Sequence, residues 1–342
     1  MCYNPPVKVS EIGEFSLIEH ISSLIDKSNK SKYCSGQKLV IGIGDDAAVW
    51  KSNSGLQLLT TDSMIENVHF NIGTISWEEL GWKSIAVNVS DIAAMGGLPC
   101  YAIVALALRG DIEVESISQM YQGMISLCDQ YKISIVGGNI SSSERIMITV
   151  AIVGSLLGKS MLTRSAAKSG DLIAVTGHTG LSMAGLKMLK HGLSCDTDSK
   201  KVLREAHLKP VAKIEEGQVL LKHGVKAAID ISDGLISDLT HICKASNVGA
   251  LLEQNKVPIH QILLTYFRDD YLSLVLTGGE DYELLFTAPS SIMIKLKSAL
   301  SCPVNIIGRI TKDAPGQVMI VDDSGNRKTS VEYGWEHFKS NP

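Results

Sequence analysis

Apolar and polar positions alternate along this chain at two spacings, one suited to strands and one to helices. Phe15, Leu17, Ile18, Ile21 and Leu24 recur at mixed helical spacing and predict an amphipathic helix over 14–27. A Ser/Lys-rich loop is expected over 28–36. Residues 40–43, 47–50 and 56–60 read as strands, with Ser52-Asn-Ser-Gly55 turning between the last two. The run 77–95 predicts a long helix, stopped by Gly96-Gly97 and Pro99. A strand over 101–108, a helix over 114–131 and strands over 133–136 and 145–157 follow, the last two around a Gly137-Gly-Asn-Ile-Ser-Ser-Ser loop.

The pattern then restarts. A turn at Lys168-Ser-Gly-Asp171 precedes a strand over 172–176, and Gly177-His-Thr-Gly180 leads into a helix over 181–190. Residues 191–200 are polar and expected to be exposed. Helices over 215–223 and 235–246 flank a strand over 227–231. Two further strands, 274–276 and 283–287, enclose Thr277-Gly-Gly-Glu-Asp-Tyr282. Strands and helices mix without strict alternation, which favours an α+β or mixed α/β class over a doubly wound sheet. A boundary near 155–165 divides the 342 residues into two domains.

Composition narrows the class. Apolar residues make up 45%, charged residues 20%, and the net charge is −4. That balance fits an ordinary globular protein and argues against a general nucleic-acid binder, which needs a basic surface. The longest apolar runs are too short and too interrupted to span a bilayer. Seven scattered cysteines without a C-x-x-C pair argue against a disulfide framework or zinc site and for a reducing cytoplasm.

The chemistry concentrates in acidic strand ends. Asp230 and Asp233 stand where the apolar run 227–229 meets Ser232-Asp233-Gly234. Asp45-Asp46 closes one predicted strand, and Thr60-Thr61-Asp62 another. Carboxylates in apolar surroundings are costly unless paired or bound to metal, and magnesium takes all-oxygen ligands. Caps and turns are the plain alternative for each. Asp91 is harder to explain that way, since it faces the negative end of its own helix, and Lys83 lies about two turns away. Gly137-Gly138-Asn139 after a strand suits close approach to phosphate, although a plain turn has the same composition. Ser232-Asp233-Gly234 fits a helix N-terminus, which favours anions and is equally a plain cap. Gly154-Ser-Leu-Leu-Gly-Lys-Ser160 is not a P-loop: three residues separate its glycines where the motif needs four.

Ordered blocks across nearly the whole chain resemble the thiamine-monophosphate kinase family of the aminoimidazole ribonucleotide synthetase-like superfamily. They are Gly13-Glu-Phe-Ser-Leu-Ile18, Ile43-Gly-Asp-Asp46, Thr60-Thr-Asp62, Asn67-Val-His-Phe70, the run from Ala86 to Ala94, Gly137-Gly-Asn139, Leu162-Thr-Arg-Ser165, His207-Leu-Lys-Pro210, the run from Ile229 to Asp238, Gly278-Gly-Glu-Asp-Tyr-Glu-Leu284 and Gly334-Trp-Glu-His-Phe338. The resemblance implies a two-domain, ATP-using fold without a P-loop. Residues 1–155 would form a metal- and ATP-binding, dimerising domain, and 156–342 an α+β domain completing the site. It implies in-line phosphoryl transfer from ATP to thiamine monophosphate, giving thiamine diphosphate, with several Mg2+ ions.

By the same resemblance Asp46, Thr60, Thr61, Asp62, Asp91, Asn139, Asp230 and Asp233 ligate magnesium. Tyr121, Gly138, Asn139, Arg164 and Ser232 meet ATP, and His69, Glu280 and Trp335 meet thiamine monophosphate. Many relatives carry an acid where this chain has Asn139, whose amide oxygen offers no charge, so a weaker ion is expected there. A cytoplasmic homodimer formed by strand pairing, with no nucleic-acid or membrane partner, completes the expectation. The rival readings are another ATP-dependent enzyme of the superfamily and a non-catalytic nucleotide or thiamine-phosphate sensor.

Overall fold

The structure, a computed structural model, describes residues 7–28, 38–41, 49–51 and 55–329. They fall into two units, Met1–Ile92 with Leu98–Lys159, and Ala93–Gly97 with Ser160–Pro342.

The first unit holds α1 (Val9–Ser28), β1 (Lys38–Ile41), β2 (Val49–Lys51), β3 (Gln57–Ile65), α2 (Trp77–Ala94), β4 (Leu98–Leu108), α3 (Val114–Tyr131), β5 (Ser134–Ser142) and β6 (Met147–Ser155). β1 and β2 form an antiparallel pair, and the other four strands form one sheet in the order β3-β6-β4-β5. Only β4 and β5 run parallel in that sheet. α1 starts earlier than predicted and kinks at Gly13, whose φ is 75°.

α2 is buried almost all round, Lys83 included. Its approach to α3 is set by two glycines. A Cβ on Gly81 would lie 1.8 Å from the Met120 carbonyl oxygen, and one on Gly123 would lie 1.9 Å from that of Glu78. The sheet has one face lined by Ile152, Ala102 and Ile135, all buried, and one open face carrying Leu59 and Ile103.

The Gly137-Gly-Asn segment, expected as a loop, lies inside β5. The reason is local. A Cβ on Gly138 would sit 1.9 Å from the Val104 carbonyl oxygen, so neighbouring strand backbone dictates the glycine. Among the described residues Cys195, Cys243 and Cys302 are unbridged thiols.

The second unit holds β7 (Leu172–Thr176), α4 (Leu181–His191), α5 (Thr197–Leu208), α6 (Ile214–Lys222), β8 (Ala227–Asp230), α7 (Leu235–Ser246), β9 (Gly249–Glu253), α8 (Gln261–Tyr266), α9 (Tyr271–Thr277), β10 (Leu284–Ala288), α10 (Ser290–Ala299), β11 (Val304–Thr311), β12 (Val318–Val321) and β13 (Arg327–Thr329). Its seven strands order as β13-β12-β9-β11-β7-β10-β8. The pairs are antiparallel except β12 with β9. One apolar cluster joins Val175, Ile229 and Leu285 to Leu239 and Ile242 of α7. A second joins Ala174, Ala228 and Phe286 to Leu220 of α6 and Met293 of α10.

Residues 274–276, predicted as a strand, belong to helix α9. Residues 191–200 are mostly exposed, as expected, and α5 begins among them at Thr197, under an Asp196 cap that accepts the Ser199 N–H. Residues 157–162 after β6 form bends and coil, so no helix follows the near-match to a P-loop. Among the described residues no helix is long and apolar enough to cross a membrane.

Candidate active site

In the first unit, Thr60 and Asp62 sit two apart on β3 and therefore share a face of the sheet. Opposite that face the Thr60 hydroxyl donates to the Asp91 carboxylate of α2 at 2.5 Å. The helix thus brings its late aspartate against the part of β3 that carries Asp62, which lies inside the strand and not at its end as expected. Thr61 points the other way and donates to the Val150 carbonyl at 3.0 Å. Period-two alternation therefore sets the Thr60 and Thr61 hydroxyls on opposite faces of β3.

His69 follows in the turn after β3. Its Nδ1 accepts the Ile65 N–H at 3.0 Å, which places the proton of the neutral ring on Nε2. Tyr121, Gly138 and Asn139 line one pocket together with Ile18, Val104 and Ile135. Burial pushes the Tyr121 phenol well above its ordinary range, so it stays neutral. The register places Asp62 level with Gly138, three strands across the sheet, or about 14 Å at the usual strand spacing. Asn139 lies level with exposed Ala105, on the opposite face from Asp62. Within one copy of this unit, Asn139 and Asp62 cannot ligate the same ion.

In the second unit the predicted residues converge. β8 ends at buried Asp230, which pairs with Leu284 of β10. The chain then turns through Ser232-Asp233-Gly234 into α7. This turn is stitched to the loop before β10: Glu280 N–H donates to Ser232 O at 2.8 Å, and Tyr282 N–H to Ile231 O at 2.9 Å. Glu280 and Tyr282 hold φ of 64° and 51°, a left-handed conformation that strains side chains other than glycine. The Glu280 carboxylate lies 3.4 Å from Nδ1 of buried His207.

Residues that sequence reasoning left without a role complete this cluster. Asp238, buried in the first turn of α7, accepts the N–H groups of Ser232, Asp233 and Gly234 on one oxygen, each at 3.1 Å. Burial, then Asp230, then Asp233 push its carboxyl well above the usual range, against the pull of the N–H groups of Asp233 and Gly234. Asp233, Asp238 and His241 offer atoms within 4.8 Å of one another. Burial lowers the His241 pKa first and the nearby Arg164 guanidinium second, with Asp233 opposing.

Asp281, partly buried, caps α4 by accepting Gly180 N–H at 2.6 Å and Ser182 N–H at 3.1 Å. Glu283 pairs with Lys213 at 3.1 Å and accepts the Thr176 hydroxyl at 2.6 Å. Asp281 and Glu283 stand inside the Gly-Gly-Glu-Asp-Tyr-Glu block, so their presence was readable but their support roles were not. Asp46 and Trp335 lie outside the described residues.

Thr60, Asp62 and Asp91 in the first unit, and Asp230 and Asp233 in the second, each offer hard oxygens, the kind of donor magnesium takes. Carboxylates close enough to raise Asp238 between them gain from a cation. The residues present therefore fit magnesium.

The sequence matches two family models over most of its length. AIR synthase related protein, N-terminal domain, covers residues 44–156, and AIR synthase related protein, C-terminal domain, covers 168–321. These define the class. A thiamine-monophosphate kinase from Buchnera aphidicola is 36% identical, over 96% of this chain and 99% of the relative. One from Aquifex aeolicus is 37% identical, over 97% and 100%. A solved structure, AaThiL complexed with AMPPCP and TMP, superposes with a TM-score of 0.75 at 36% identity, over 98% of this chain and 100% of that one. The chain belongs to the thiamine-monophosphate kinase family, a family of enzymes within the AIR synthase related proteins.

Proposed function

We propose that this chain transfers the γ-phosphoryl group of ATP to the phosphate of thiamine monophosphate, directly and in line, giving thiamine diphosphate and ADP. One observation carries the reading. Asp230, Ser232, Asp233 and Glu280, residues assigned to metal, nucleotide and substrate in the second unit, gather on one stitched pair of loops, with Arg164 close enough to act on His241 beside them. Near full-length kinship with thiamine-monophosphate kinases supports it, as does a relative bound to AMPPCP, a non-hydrolysable ATP analogue, and TMP.

Arg164 and the Ser232 hydroxyl bind ATP phosphates, and Tyr121, Gly138 and Asn139 hold the nucleotide in the first unit. His69 and Trp335 contact thiamine monophosphate, and Glu280 offsets its thiazolium charge. The acceptor phosphate is ionised near neutral pH, so the chain needs no strong general base. Magnesium would be held by Asp46, Thr60, the Thr61 main-chain oxygen, Asp62, Asp91, Asp230 and Asp233, with Asn139 a weaker donor. Bound there, it supplies neutralisation of the charge on two phosphorylated reactants. The protein's own contribution is alignment. Residues up to about 155 would form the metal-, nucleotide- and dimer-forming domain, and the remainder the domain that completes the site. A second copy is the partner, and the cytoplasm, where ATP is abundant, is the setting.

The test is incubation with ATP, magnesium and thiamine monophosphate, followed by separation of products. Thiamine diphosphate and ADP should appear one to one, and Asp230→Asn should lower kcat by roughly 100-fold or more. Ligand retention without product would leave a sensor, and ADP with free phosphate would point to a different reaction of the superfamily.

A further inference from the structure

The turn before α7 has the shape of a phosphate site, with three consecutive N–H groups pointing one way. Those groups are taken. Ser232, Asp233 and Gly234 all donate to Oδ2 of Asp238 at 3.1 Å, and Asp238 is 1% exposed. The backbone is held on its other side as well. Ile231 N–H donates to Glu283 O at 2.8 Å, and the carbonyls of Ile231 and Ser232 accept from Tyr282 and Glu280. With the N–H groups of residues 231–234 all engaged, the turn has spent its main-chain donors and meets a phosphorylated ligand through the side chains of Ser232 and Asp233.

We propose that Asp238 is a positioning residue: as a built-in acceptor it locks this turn, so that the Ser232 hydroxyl and Asp233 carboxylate, and not the turn's N–H groups, meet the magnesium nucleotide. The inference rests on the reading that Ser232 and Asp233 serve the nucleotide and its metal. Two other roles compete. Asp238 could serve the fold alone, or it could ligate metal directly beside Asp233 and His241.

Steady-state kinetics on Asp238→Ala, Asp238→Asn, His241→Ala, Ser232→Ala and Asp233→Asn separate these. A released turn should raise the KM for magnesium-ATP by ~10-fold or more in folded Asp238→Ala, while the KM for thiamine monophosphate moves less than ~3-fold. Asp238→Asn should recover most of the loss, because its amide oxygen accepts the same N–H groups. A purely structural role lowers the active fraction and kcat and leaves both KM values, which overturns the proposal. Asp238→Asn as impaired as Asp238→Ala, with His241→Ala impaired too, assigns direct ligation and overturns it as well.

If Asp238→Ala does not fold, hydrogen exchange on the wild-type protein decides. The amides of 232–234 should be protected without ligand and unchanged by magnesium-AMPPCP. New protection on adding it would mean that phosphate takes those N–H groups, against the proposal. Wild-type KM for magnesium-ATP in both Ser232→Ala and Asp233→Asn would sink the nucleotide reading itself. Raised KM in those two with a silent Asp238→Ala sinks the positioning role alone.

Discussion

Asp281 is a carboxyl that burial has brought to the edge of neutrality. Burial pushes it up to about 7, the N–H groups of Gly180 and Ser182 pull it back, and Glu283 and Glu280 add to the rise. The ordinary aspartate value is 3.8, so between the two pH values the folded state binds the proton more tightly than the unfolded state. The stability due to the protonated form is complete below the lower value and lost as pH climbs to the upper one, at most about 4 kcal/mol. Asp281→Asn removes this dependence while keeping an oxygen for the α4 cap. Scanning calorimetry should show the wild-type Tm falling relative to the variant between roughly pH 4 and 7, with other titrating groups common to both proteins. A Tm difference that stays flat across the window would show that Asp281 does not titrate there.

Helix α7 and the α2–α3 crossing show what an element owes to its sequence. α7 runs over Leu235–Ser246 as read from the sequence, because Gly234 breaks the backbone before it and Asn247, in the left-handed region, ends it. At the crossing, small residues are an absolute need. Gly81→Ala places a Cβ 1.8 Å from Met120 O, where only helix displacement relieves the clash. Such overpacking costs typically 1–3 kcal/mol, and denaturant unfolding should place this variant at or above about 3 kcal/mol. A loss under about 0.5 kcal/mol, ordinary for a surface change, would mean the helices do not approach as described.

The misreadings have the same local character. Residues 274–276 are a short apolar run, which period alone cannot assign. Gly137-Gly138 looks like a turn because the Val104 carbonyl that demands Gly138 is remote in sequence. The Asp196 cap of α5 has a sequence signal, an acid three residues before Ser199, that is masked by its polar neighbours. At the site, Asp230, Ser232, Asp233 and Glu280 were legible as unusual acids and turns. Asp238 was not, since an acid in a first helical turn is ordinary until its three N–H partners are seen.

At the scale of the whole molecule, the open face of the first unit's sheet needs an occupant. Leu59 is 76% exposed, Ile103 48% and Met147 38%, and the register sets all three on that face beside Ala105 and Ala151. A contiguous apolar patch of this kind marks an interaction surface, and a second copy is the partner proposed above. Two-fold pairing would set the same patch on each copy against itself, so one charge introduced in the patch is repeated across the interface. Analytical ultracentrifugation of the wild-type protein at micromolar concentration should give a dimer. Ile103→Glu and Leu59→Glu should give monomers with an unchanged circular dichroism spectrum, because neither side chain belongs to the buried core. If the wild type sediments as a monomer, or if both glutamate variants remain dimeric, the open face is not the contact between copies.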